Sequence, residues 1–426
     1  MRIADAGIQR MLLLPAILTL ICLVAGCNKK PQEMNGTKAV EIIKTKEGAS
    51  ISDASLPDFQ IQLLELAFET ASLIPVNPFI KDRSLAQEKV VDACLKLDLP
   101  VRAVRYSDKI DNWRRGLCYA NTAKYLVQNG HTADQVRKGL EIAEQIADMD
   151  HGQQWRNDRI KAAIAQTYML LGQPENAQRF NRHLTDAAEG TTEEQEVLPR
   201  DTLSFEEKVS GLDSTIALMN FDLTQAALQA YAELFNAYYT DVEKRNITQT
   251  KINEACEKHK IPLPIRMELL IILASIALEH NDQAKTMELV NEAQILLDDY
   301  EWPLEKRIPL SANVSELRYK AGGPEQALAD LGNALLLYDE HSEEIVDIYQ
   351  AETIRPIAEA YQCIGDKDKA LAVYKKTVEA GMANLNLKPR AEALSSTCGS
   401  MALNAVEPDQ ELVARMNSIK DELGQL

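Results

Sequence analysis

The chain has 426 residues, a net charge of −18 at neutral pH, and only 18 Gly and 16 Pro. So acidic a chain repels phosphate backbones and anionic headgroups, which argues against nucleic acid and a bare anionic lipid surface as partners. Scarce Gly and Pro beside plentiful Ala, Leu, Glu and Lys point to helix, and the length exceeds one ordinary domain.

The opening residues stand apart. Met1 to Arg10 carries Arg2 and Arg10 against Asp5; Met11 to Cys22 is an uncharged apolar run containing Pro15; Leu23-Val24-Ala25-Gly26-Cys27 closes it with small residues. That basic, apolar, small order is the order of a secretory signal. The run is shorter than the roughly 20 apolar residues that span a bilayer. Val24-Ala25-Gly26-Cys27 resembles the bacterial lipobox, in which small residues precede a cysteine that is diacylated and then exposed by cleavage. The resemblance implies cleavage between Gly26 and Cys27, a palmitate-class acyl anchor on Cys27, and a location outside the cytoplasm. Two acyl chains hold a protein on a membrane stably where one holds it marginally. In such families an Asp after the cysteine retains the protein in the inner membrane. Asn28 stands there instead, which implies the periplasmic face of the outer membrane where the envelope has two membranes.

Without residues 1–26 the net charge is −19, because Arg2, Asp5 and Arg10 leave together. Residues 27–55 mix Lys, Gly, Ser, Pro and acids with little apolar periodicity and read as a lipidated tether. From Leu56 onward apolar residues recur at helical spacing, with no alternating strand pattern, so the expected fold is all-α. Cys94, Cys118, Cys256, Cys363 and Cys398 lie singly in helical patterns and read as small core residues. Their number is odd, and the sequence assigns no pair.

Six segments of equal length can be stacked: 113–130, 155–172, 264–281, 305–322, 348–365 and 387–404. Each closes on Gly130, Gly172, Asn281, Gly322, Gly365 or Asn404, the residue types that most readily take the left-handed conformation ending a helix. Seven positions earlier stand Ala123, Ala165, Ala274, Ser315, Ala358 and Thr397, small enough for a second helix to approach. A further helical pattern follows each closing residue, with Ala177, Ala327 and Ala370 five places past a Gly. The unit is helix, tight turn, helix.

This constellation resembles the tetratricopeptide repeat, most closely over 351–377 (Ala358, Tyr361, Gly365, Ala370, Tyr374) and next over 158–184 (Ala165, Tyr168, Gly172, Ala177). The resemblance implies an α-solenoid of stacked hairpins. Tetratricopeptide units recur every 34 residues, whereas adjacent closing residues here are 42, 41, 43 and 39 apart. Longer helices or joints are therefore expected, with a period of about 40. Asp92-Ala93-Cys94 with Leu99-Pro100 parallels Glu254-Ala255-Cys256 with Ile261-Pro262, and Pro174-Glu175-Asn176-Ala177 parallels Pro324-Glu325-Gln326-Ala327. These matches suggest a duplication of 60–185 onto 222–338, with a short deletion in the second copy. The expected organisation is a signal at 1–26, a tether at 27–55, repeat blocks at 56–190 and 191–345, and a C-terminal repeat with capping helices at 346–426.

Candidate chemistry is sparse. The six histidines are scattered, without the convergent ligands a metal needs, and no G-x-S-x-G, phosphate loop or G-x-G-x-x-G occurs. Trp113 and Trp155 open two stacked segments at one column and read as packing. Stacking in the tetratricopeptide manner would line a concave groove with Lys124, Val127 and Gln128; Gln166, Met169 and Leu170; Glu316, Tyr319 and Lys320; Arg355, Glu359 and Gln362. This set lacks the Lys, Asn and Arg clamp with which some relatives hold C-terminal carboxylates. The sequence thus leads to a membrane-tethered scaffold that binds a protein or peptide partner without cofactor, metal or catalytic residue. An envelope chaperone or assembly factor is the alternative. An enzyme would require a convergent polar site that the sequence does not reveal.

Overall fold

A computed structural model describes residues 51–149, 151–181, 203–217 and 221–425. Among them every regular element is helical. The first seven are α1 (Asp58–Leu73), α2 (Val76–Lys96), α3 (Pro100–Ser107), α4 (Arg114–Gln128), α5 (Ala133–Ala147), α6 (Gln154–Leu170) and α7 (Pro174–Asn181). Beyond the undescribed 182–202 come α8 (Phe205–Ala217), α9 (Phe221–Ala237), α10 (Val242–Lys258), α11 (Leu263–Glu279) and α12 (Gln283–Asp299). The last six are α13 (Leu304–Lys320), α14 (Pro324–His341), α15 (Asp347–Ile364), α16 (Lys367–Gly381), α17 (Leu387–Leu403) and α18 (Gln410–Leu423).

The six stacked segments fall on α4, α6, α11, α13, α15 and α17. Each ends in the same way. The residue after the turn returns its backbone N–H to a carbonyl five positions back: His131 to Leu126, Gln173 to Tyr168, Asp282 to Ala277, Gly323 to Arg318, Asp366 to Tyr361 and Val406 to Met401. That bond requires a left-handed residue just before its donor. Gly130, Gly172, Asn281, Gly322 and Gly365 supply it, with φ between 58° and 95°.

The sixth helix departs from expectation. Asn404 has φ −91°, and Ala405, at φ 51°, is the left-handed residue. Asn404 is occupied otherwise: its Nδ2 donates to the Ser400 carbonyl at 2.8 Å and holds the last turn right-handed. The register of α17 therefore moves by one, and Cys398 takes the place expected of Thr397. Both are buried, as are Ala123, Ala165, Ala274, Ser315 and Ala358, none more than 2 % exposed. Ala177, Ala327 and Ala370 are equally closed, so each of these hairpins buries a small residue on both of its helices.

The long period has a plain cause. Helices α11 and α12 have 17 residues each. With a three-residue turn and a four-residue joint before α13 they make the 41 residues from Asn281 to Gly322.

Contacts run from α9 to α11, α13, α15 and α17 in turn. α17 then packs on α1 and α2, which lie at the other end of the chain; α2 packs on α4, and α4 on α6. One buried apolar cluster accordingly joins Leu64, Ala67, Phe68 and Ala71 of α1 to Ala391, Leu394, Cys398 and Ala402 of α17. Gln60 Nε2 donates to the Ala402 carbonyl at 2.7 Å, and Lys420 pairs with Glu69 at 2.9 Å. The C-terminal helices are thus packed against the N-terminal ones, α17 on α1 and α2 and α18 on α1.

A second correction concerns the tether. Its last five assigned residues, 51–55, are packed. Ile51 is buried beside Val104 and Tyr119. Asp53 Oδ1 accepts the Val101 N–H at 2.7 Å, capping α3, and Ala54 N–H donates to the Asp98 carbonyl at 2.8 Å. The signal, Cys27 and the rest of the tether lie outside the described residues, as does most of the expected seam near 190.

Candidate protein-binding surfaces

Most of the expected groove residues sit where successive first helices meet. Lys124 Nζ donates to Gln166 Oε1 at 2.8 Å, joining α4 to α6. Lys320 pairs with Glu316 at 2.5 Å on α13. Arg355 Nε lies 3.3 Å from Glu359, and Gln362 Nε2 donates to the Asn404 carbonyl on α17 at 3.0 Å. Met169 and Tyr319 are half-buried; Gln128 is exposed. The structure therefore brings together one set on α4 and α6 and a second on α13 and α15. In the order of contacts α17, α1 and α2 stand between them.

Residues missed from the sequence fill part of that gap. Ser400 Oγ donates to Glu359 Oε1 at 2.5 Å, which leaves the Tyr374 hydroxyl, 2.7 Å away, to donate to Ser400. Burial raises the Tyr374 pKa, so the phenol stays protonated. No sequence signal marked Ser400, which falls between the groove columns in either register of α17.

A basic and aromatic cluster sits at the start of α4 and α6. Trp113 and Trp155 meet edge to face with centroids 5.3 Å apart. Arg114 and Arg159 lie over Trp113 at 4.8 and 5.8 Å, and Arg156 over Trp155 at 5.5 Å. Arg114 is paired with Glu88. Burial, then the neighbouring Arg114 guanidinium, lowers the Arg156 pKa. Beside them Asp92, crowded by surrounding protein, has its pKa raised to about 7, first by burial and then by the Glu88 carboxylate. Arg156 is tied to the His151 carbonyl at 2.6 Å and to Gln153 at 3.0 Å, while its Nε is buried without a hydrogen-bond partner among the described residues.

A cleft of about 620 Å³ opens where α12 and α14 flank α13. Its floor is Arg318, 8 % exposed, whose guanidinium donates to Asn291 Oδ1 at 2.9 Å and Gln294 Oε1 at 3.4 Å. Arg318 Nε lies 3.3 Å from Asp330 Oδ2, near enough for an ion pair, but the two atoms are misaligned and neither has a hydrogen-bond partner. Gln326 Nε2 holds the other oxygen of Asp330 at 2.7 Å.

No family model matches the chain, nor does any curated protein or solved structure. Among the described residues no group of His, Cys, Asp and Glu could hold a metal ion, and no helix is long and apolar enough to cross a membrane. Cys94, Cys118, Cys256 and Cys398 are buried free thiols, and Cys363 is a half-buried one. His259 and His280 cap α10 and α11, and His341 pairs with Glu344 at 2.7 Å.

Proposed function

We propose that the protein is a lipid-tethered scaffold: an α-solenoid of tetratricopeptide-like hairpins that binds envelope proteins and breaks no bonds. The observation that carries this reading is the unbroken contact sequence of first helices from α9 to α6, closed by small buried side chains at each hairpin. Such a series gives an extended surface with many polar positions and no convergent catalytic group. Anchoring at Cys27 would raise the local concentration of a bound partner at the membrane without any added contact. Outer-membrane placement follows the same lipobox reading and Asn28.

Two experiments test it. Cys27→Ser should abolish incorporation of a clickable palmitate analogue and release the protein from membranes; undiminished labelling would remove the anchor. Photo-crosslinking from Gln128 in intact cells should give discrete protein adducts in the membrane fraction, and a blank result would count against the scaffold.

An assembly-factor reading draws on exposed apolar side chains, among them Val346, Ile348 and Tyr349 at the start of α15 and Leu336 on α14. Suppressed aggregation of an unfolded outer-membrane protein by the purified chain would favour that reading.

A further inference from the structure

We propose that the cleft over α13 binds an extended peptide segment in which an acidic residue adjoins an apolar one. The proposal rests on the scaffold reading and gives it a site and a ligand chemistry.

The cleft is built from three helix faces. Arg307, Ser311 and Arg318 stand at i, i+4 and i+11 on α13, one side of the helix over three turns. Asn291, Gln294, Ile295 and Asp298 repeat at i, i+3, i+4 and i+7 on α12, while Gln326, Asp330, Asn333 and Leu337 do so on α14 at i, i+4, i+7 and i+11. Eleven residues of helix rise about 16 Å, the length of roughly five residues of extended chain. The volume falls within the roughly 300–1,000 Å³ of ligand-binding clefts.

The lining selects among ligands. None of the lining residues is aromatic, which removes the flat face on which a sugar ring or a base would stack. Among the described residues Asn291 on one wall keeps an amide N–H to donate and Gln326 on the other keeps an amide oxygen to accept, matching the peptide group. Asn333 and Ser311 make no side-chain hydrogen bond among the described residues, so their groups are open to a ligand. Among the described residues Arg307 has neither an ion pair nor a hydrogen bond from its side chain, an unusual state for a guanidinium in so acidic a chain. A ligand carboxylate can therefore pair with it, by two parallel hydrogen bonds where the geometry allows. Ile295, which is 56 % exposed at the rim, and Leu337 on the opposite wall can take an apolar side chain. Arg318 and Asp330 neutralise one another beneath and leave Arg307 to set the charge preference.

The test uses the full chain and two mixtures of capped hexapeptides, with Glu-Leu or Gln-Leu fixed at the centre, read by fluorescence anisotropy. The Glu-Leu mixture should bind at least about fivefold more tightly. Arg307→Gln should erase that preference, Arg307→Lys should keep part of it, and Asn333→Leu should weaken both mixtures, with unchanged circular dichroism in each variant. Absence of binding by the Glu-Leu mixture, an intact preference in Arg307→Gln, or displacement of the peptides by maltotriose would each overturn the proposal. A photo-crosslinker at Ile295 compared with one at Gln128 separates the two levels. Adducts from Gln128 alone reject the cleft and spare the scaffold, and adducts from neither reject both.

Discussion

The place of Asp92 in the fold pushes it toward its protonated form. Burial raises its pKa from 3.8 to about 7, and the Glu88 carboxylate adds to the shift while Lys96 and Arg114 oppose it. An acid whose folded pKa exceeds its unfolded value stabilises the fold fully below the unfolded value, and that contribution is lost as pH rises toward the folded one. Asp92→Asn stays neutral throughout. It should leave stability unchanged near pH 4 and raise it by about 1–3 kcal/mol at pH 8, measured by urea unfolding at several pH values. A variant less stable than the parent at pH 8 would mean that Asp92 is ionised and paired. Ala405 invites the opposite kind of change. At φ 51° it holds a conformation that favours glycine, and Ala405→Gly should stabilise the chain by about 1 kcal/mol. A loss of stability would show that the turn is not strained.

At the scale of helices, the hairpins were legible because their signals are local. A left-handed Gly and a small residue seven positions earlier belong to one helix end, and both follow from backbone sterics. The register of α17 was not legible, since it turns on Asn404 bonding back to Ser400 rather than on residue type at the closing position. Nor could periodicity show that α1 follows α17, because the Gln60–Ala402 bond joins residues 342 positions apart. The expected groove suffered for the same reason: its residues were chosen unit by unit, and Ser400 was left out. The Arg318 cleft was invisible because its polar groups come from three helices, each unremarkable alone. Close approach of elements is testable at Gly381, the last residue of α16. A Cβ there would lie 2.7 Å from Ala393 Cβ on α17. Gly381→Ala should cost about 1–3 kcal/mol through overpacking, and Gly381→Ala with Ala393→Gly should recover much of the loss. If the double variant is no better than the single one, α16 and α17 are not in contact at that point.

Across the whole molecule, chain order and contact order disagree. Contacts pass from α9 to α17, cross to α1 and α2, and continue to α6, so the first and last described helices, α1 and α18, meet in the interior of the series. The parallel joints at Asp98 and Lys260 fit this layout. Both residues are left-handed, and Leu99 and Ile261 donate to the Cys94 and Cys256 carbonyls. α3, between α2 and α4, has no counterpart between α10 and α11. A consequence can be built. A permuted chain that starts at residue 191, runs to 426, crosses about 15 Gly and Ser residues and resumes at 51 should fold with the parent's helical content and a melting temperature within a few degrees. The linker need only span a gap within the packed region where α18 and Gly424 lie against α1, and lengthening such a loop costs little. Residues 51–190 alone should do far worse, because Leu64, Ala67 and Phe68 lose the α17 face that buries them. A cooperative, stable 51–190 fragment beside an unfolded permutant would show that α1 does not depend on α17, and the contact series would break at that point.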